Sequence, residues 1–267
     1  MRGWRLLFLV FGSFFIFYFI YNTFIKKNYT FFKSYKYEIN DFDTSSSTVS
    51  FDAGKTLRFE FHNSYDDEVS ICELRVPENY SEDKQIPIFV WFAPGNGSYS
   101  VKNVPPFIDF DEYFVLALPY LDNQLPRIAI QNGYIDEFWD YDRPMFEYVI
   151  DLIPNLSEDI RIAAGYSSGA HFVGSALDRD WLGFTDFFTG YVIHEGGGAP
   201  DMTYKGIKPS HKILVTYGKS INSYGKLVAD MMTQSHENIS VYGIADTGHE
   251  INSQTISYIK NWIEENF

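Results

Sequence analysis

Cysteine is nearly missing from this chain, with Cys72 its single representative. That excludes an intrachain disulfide and any zinc site built on thiolates. The residues around it, 69–74, read as a strand, so the thiol is expected to act as a small core group. Positive charge is scarce as well. Lys and Arg number 21 against 35 Asp and Glu, a formal net charge of -14. A surface of that sign repels polyanions, so no nucleic acid is expected as a partner. The signatures H-E-x-x-H, G-x-x-x-x-G-K-[ST] and G-x-G-x-x-G do not occur, and no metal or organic cofactor is expected. Internal repeats and long low-complexity tracts are also lacking.

Long apolar runs are confined to one place. Residues 6–25 are mostly apolar on every face and long enough to cross a hydrocarbon core. Arg2 and Arg5 precede the run, and Lys26 and Lys27 close it without a small-x-small cleavage site. Residues 1–27 are therefore read as an uncleaved transmembrane signal anchor, with a cleaved signal peptide as the alternative. Arg2 and Arg5 compete with Lys26, Lys27, Lys33 and Lys36, so charge alone would leave the globular part inside. The short tail ahead of a long run favours export, and the domain is placed outside the cytoplasm. Residues 28–50 are polar and read as a stalk, leaving 51–267 for one domain.

Within that domain strands and helices alternate. Residues 56–61 and 68–76 look like an antiparallel pair. Residues 86–92 form a continuous apolar run suited to a strand buried on both faces, and 113–118 another. Further strands are read at 159–164, 189–193, 212–217 and 239–244, with helices at 143–153, 225–234 and 253–267. The alternation predicts a doubly wound, mostly parallel sheet with helices on both faces. In such sheets ligands bind beyond the strand C-termini.

One of those C-termini carries Gly165-Tyr166-Ser167-Ser168-Gly169. A strand runs into it and the segment from Ala170 reads as a helix. A strand-to-helix turn this tight crowds its neighbours, so small residues are needed two positions either side of the serine. It also lifts the hydroxyl to a helix N-terminus, where backbone N–H groups can receive an oxyanion.

With these residues the chain resembles an α/β-hydrolase, of the single-domain esterase and polyhydroxybutyrate-depolymerase-like branch. The likeness runs from about Cys72 to the C-terminus. It rests on Leu74-Arg75-Val76-Pro77-Glu78-Asn79-Tyr80 with the strand at 86–92, on the segment 159–169, and on Thr247-Gly248-His249 near the end. The resemblance implies Ser167 as nucleophile and His249 as base, since a neutral serine hydroxyl is weak unless a base takes its proton. His194, after the sixth strand, is the competing histidine. His62, His171, His211 and His236 sit where packing or a surface helix claims them. Oxyanion donors would be the N–H of Ser168 and one from Gly95 or Asn96, because Pro94 has none to give.

The pattern breaks at the third triad member. Gly218 is followed by Lys219, Ser220, Ile221, Asn222 and Ser223, with no carboxylate. Glu195 after the sixth strand is the first candidate acid, Asn222 the second and Asp246 the third. The interval from Glu195 to His211 is too short for a helical lid. The cleft is therefore expected to be open and roofed mainly by 119–142, whose Tyr120, Tyr134, Phe138, Trp139 and Tyr141 either border the cleft or pack the loop against the sheet. Tyr120 and Trp139 are taken as substrate-binding. The expected activity is cleavage of carboxylic esters, small or carried on a polymer, through an acyl-serine. A peptidase or amidase is the alternative within the fold. A hydrolase-fold binding protein with impaired catalysis is the alternative outside enzymes.

Overall fold

A computed structural model describes residues 37–40, 49–63, 69–121, 125–133, 135–220 and 224–267 of the chain. The expected anchor at 6–25 lies outside the described residues, and among these no helix is long and apolar enough to cross a membrane. Two short pieces of the sheet come first in sequence, β1 (Tyr37–Asn40) and β2 (Thr56–Asn63). They are followed by β3 (Val69–Arg75), β4 (Ile86–Phe92) and β5 (Phe114–Leu118). Helices α1 (Pro126–Asn132) and α2 (Asp136–Leu152) lead to β6 (Leu156–Tyr166) and α3 (Ser168–Arg179). A short α4 (Phe184–Phe187) precedes β7 (Gly190–His194) and β8 (Lys212–Gly218). The chain closes with α5 (Tyr224–Ser235), β9 (Ile239–Ile244) and α6 (Ser253–Asn266).

Among the described residues the strands form one sheet in the order β1-β2-β3-β5-β4-β6-β7-β8-β9. The β1-β2, β2-β3 and β3-β5 pairs are antiparallel, and every pair from β5 to β9 is parallel. β1 falls in the stretch read as a stalk, so the sheet begins before residue 51. Every residue of β5 and β7 is buried, as parallel strands covered on both faces require. Alternate residues of β4 serve two cores. Phe89 and Trp91 pack with Ile259, Trp262 and Ile263 of α6 and with Val101 and Phe107. On the other face Phe92 meets Phe172 of α3, ring centroids 4.5 Å apart, and Phe172 lies beside Phe138 of α2 at 6.2 Å. Helices therefore lie on both faces.

The largest departure from expectation is at 126–152. The sequence reading placed a loop up to Asp142 and started a helix at Arg143. Instead α2 begins at Asp136 and runs through Pro144. Its buried residues, Phe138, Trp139, Tyr141, Asp142, Met145, Phe146 and Val149, recur at helical spacing. The aromatics are thus a core stripe. Trp139 packs edge-on against Phe184 at 4.8 Å and lies 5.7 Å from Phe146.

Candidate active site

The parallel register gathers the site. Tyr166 of β6 sits beside His194 of β7, and His194 beside Thr216 of β8. The residues that follow, Ser167 and Glu195, therefore emerge side by side at the C-terminal edge. β9 pairs Ile244 with Gly218, bringing the loop after it to the same edge.

Ser167 holds φ 54° and ψ -111°, a conformation that a residue with a side chain rarely adopts. The surroundings over-determine it. A Cβ on Gly165 would lie 2.3 Å from the Gly169 carbonyl, and one on Gly169 would lie 1.8 Å from the Phe92 carbonyl oxygen. Both flanking glycines are needed because α3 starts against the end of β4. The strained serine is held further by its own N–H, donated to the His194 carbonyl at 2.9 Å.

Ser167 Oγ lies 2.8 Å from His249 Nε2. On the other side of that ring, Nδ1 is 3.5 Å from Glu195 Oε2, an ion-pair distance rather than a close hydrogen bond. Contacts of this kind are commonly loose before substrate binds and tighten in the complex. Glu195 is nearly inaccessible and adopts φ 55°, so its backbone too is bent to aim the side chain. Its other oxygen accepts the Gly218 N–H. Burial pushes the carboxyl above its ordinary value, while the Gly218 N–H and His249 pull it back. The first-ranked candidate acid is the one brought to the histidine. Asp246 is exposed, at φ 52°, and does not pair with the ring, whose nitrogens face Ser167 and Glu195. Asn222 lies outside the described residues.

The histidine loop is tied down by groups that sequence reasoning missed. Tyr166 donates its hydroxyl to the His249 carbonyl at 2.8 Å, with its ring 5.2 Å from the imidazole. His194, the competing base, is fully buried and stacked on Tyr166 at 5.1 Å. Its Nε2 is 3.0 Å from the Glu250 carbonyl, which can only accept. The proton is therefore on Nε2, and Nδ1 accepts from the Thr216 hydroxyl at 2.8 Å. Burial lowers this ring to about 4, so it stays neutral and holds the loop. A signal was available in the sequence: an aromatic directly before Ser167 and a histidine one strand over stand at the same edge. Gly218 completes the support, because a Cβ there would come within 2.2 Å of the Thr247 carbonyl oxygen.

Ser167, Ser168, Glu195 and His249 line an open cleft of about 600 Å³, together with His171, Arg127 and Tyr224. Ser168 begins α3, so its N–H has no partner within the helix. Gly95, at φ 63°, and Asn96 sit on the exposed loop after β4 and are not among the residues lining the cleft. Tyr120 and Trp139 do not line the cleft. Tyr120 is buried with its hydroxyl donated to the Ala93 carbonyl, and Trp139 belongs to the core stripe of α2. Of the two readings of these aromatics, packing is the one found. Phe138 and Tyr141 are likewise buried, and Tyr134 lies outside the described residues. Leu125, Ile128 and Gln131 of the α1 segment flank the cleft instead. His171, expected to point into packing, also reaches it. Among the described residues no cluster of His, Cys, Asp or Glu could hold a metal ion.

No family model and no curated relative matches the sequence. Solved structures do match in shape. A fluorophosphonate-binding serine hydrolase F of Staphylococcus aureus, with substrate bound, is 12% identical with a TM-score of 0.58. The match covers 80% of this chain and 99% of that one. A ferulic acid esterase of the anaerobic fungus Anaeromyces mucronatus is 14% identical at a TM-score of 0.57, covering 86% and 97%. An S-formylglutathione hydrolase of Staphylococcus aureus gives 12% and 0.55, covering 83% and 99%. At such identities the likeness shows the fold alone, and the fold is that of the α/β-hydrolases.

Proposed function

We propose that this chain is a serine hydrolase that cleaves carboxylic esters through an acyl-Ser167 intermediate. The observation that carries the reading is the 2.8 Å contact between Ser167 Oγ and His249 Nε2, with Glu195 on the far nitrogen. In the first step Oγ attacks the acyl carbon while His249 Nε2 takes its proton, and the ionised Glu195 stabilises the imidazolium. Negative charge gathers on the former carbonyl oxygen, towards which the Ser168 N–H at the head of α3 would donate. Collapse breaks the ester C–O bond, and the imidazolium hands its proton to the leaving alcohol. Water then attacks the acyl-serine by the same route in reverse, giving the acid and free Ser167.

The reading of a binding protein with impaired catalysis rested on the missing carboxylate after β8. Glu195, reaching across from β7, removes that ground. We further assign residues 6–25 to a membrane anchor that keeps the hydrolase domain outside the cytoplasm. No cofactor enters the scheme. The reading is tested by treating the full-length protein with a fluorophosphonate probe. Wild type is expected to label, with labelling lost in Ser167→Ala and reduced at least about 10²-fold in rate in His249→Ala. Labelling that survives Ser167→Ala would overturn it.

A further inference from the structure

Arg127 stands out among the charged groups of the domain. Arg58, Arg75, Arg143 and Arg179 each pair with a carboxylate, and Arg161 donates to the Ser157 carbonyl. Arg127, on α1, has no ion pair or hydrogen bond among the described residues of this strongly acidic chain. Its guanidinium lies instead over the Tyr224 ring, 5.1 Å from the centroid. Both side chains line the cleft that contains Ser167 and His249. A cleft of about 600 Å³ is the size of one small-molecule site, so a single substrate can span them.

A second polar group faces the same space. His171 Nδ1 accepts the Gly198 N–H at 3.1 Å, which puts the ring proton on Nε2. The ring stands edge-on to Tyr224 at 5.6 Å. Burial, and then the charge of Arg127, lower its affinity for a second proton to a pKa of about 4. At neutral pH it is a fixed neutral donor and cannot act as a second base beside His249. Ile128 and Tyr224, both exposed, give the mouth an apolar surface.

We propose that the cleft selects esters bearing a second, anionic group, a carboxylate, which Arg127 pairs while His171 Nε2–H donates to a neighbouring oxygen and Tyr224 packs the connecting chain. The guanidinium fork matches a carboxylate in geometry as well as charge. Leu125 and Ile128 cover the apolar part of the same substrate. The assignment deepens the hydrolase reading and rests on it for the reaction, but the anion site can be measured without turnover.

The test uses the full-length protein and two matched ester pairs. Monoanionic 4-nitrophenyl adipate against its methyl ester places the charge on the acyl side. 3-Carboxyphenyl hexanoate against its methyl ester places it on the alcohol side. For the side that reaches Arg127, wild type should favour the anionic member. The anionic-to-neutral ratio of kcat/KM should fall about tenfold in Arg127→Gln and further in Arg127→Glu. Lys260→Gln, a charge removed from α6, should leave the ratio unchanged. A ratio insensitive to Arg127→Gln on both sides overturns the anion site and leaves the hydrolase reading intact. In Ser167→Ala protein, calorimetry should show monomethyl adipate binding more tightly than dimethyl adipate, with the difference lost in Ser167→Ala/Arg127→Gln. That binding difference without Ser167-dependent turnover of any ester would remove the hydrolase reading and keep the anion site.

Discussion

Glu195→Gln is the perturbation that separates a working triad from a serine that merely touches a histidine. The change keeps the side chain's size and one oxygen for the Gly218 N–H, so the fold loses little. What it removes is a negative charge 3.5 Å from His249 Nδ1. At an effective dielectric of about 20, a unit charge at that distance stabilises the imidazolium by about 5 kcal/mol. The histidine side chain is 49% exposed, and solvent screening reduces this to about 2–3 kcal/mol. The expected loss in kcat is then about 10²-fold, with KM nearly unchanged, because the charge matters only once the proton has moved. A glutamine amide can also donate to Nδ1 and select the tautomer whose Nε2 carries the proton, which would deepen the loss. The assay is steady-state hydrolysis of 4-nitrophenyl butyrate, with thermal melting to confirm that the variant is folded. Asp246→Asn serves as the comparison and should keep its rate. A folded Glu195→Gln protein within about threefold of wild-type kcat would refute the triad as described.

Two further outcomes concern stability. Gly169→Ala should cost at least about 3 kcal/mol or prevent folding, since the added Cβ falls 1.8 Å from the Phe92 carbonyl oxygen; a chemical denaturation curve within 1 kcal/mol of wild type would contradict this close approach. Asp142 is buried with neither carboxyl oxygen hydrogen-bonded, and burial raises its pKa well above the ordinary value. Its proton is therefore kept in the folded state after the unfolded chain has lost it. Stability should fall as pH rises from the ordinary carboxylate range through the raised folded value. Asp142→Asn should flatten that dependence and raise the melting temperature at pH 8; an unchanged melting profile between pH 5 and pH 8 would count against it.

How far the sequence could be read depended on how strongly each segment was constrained. β4 was placed to the residue, because an apolar run between turn residues leaves little freedom in a covered parallel sheet; β9 was placed to the residue as well, although it is a half-exposed edge strand. The elbow was legible because its glycines answer a steric demand that is written locally. Glu195 was visible only as one of three candidates. Nothing near it in sequence reports that β7 and β8 lie side by side, or that its backbone turns to φ 55°. The stretch 126–152 departed from expectation because its aromatics were taken with the loop over the cleft, whereas Phe138, Tyr141, Met145 and Val149 recur at the spacing of a buried helical face. β1 was hidden because a four-residue edge strand in a polar segment carries almost no periodic signal.

The two clamps on the loop after β9 have one thing in common: Tyr166 and His194 both grip main-chain oxygens, those of residues 249 and 250. The main chain at His249 is therefore anchored to the sheet, while its ring is held at both nitrogens, by Ser167 on one side and Glu195 on the other. A mount fixed at the backbone and braced at the ring suits a group that must keep its bearing between two oxygens while a proton passes.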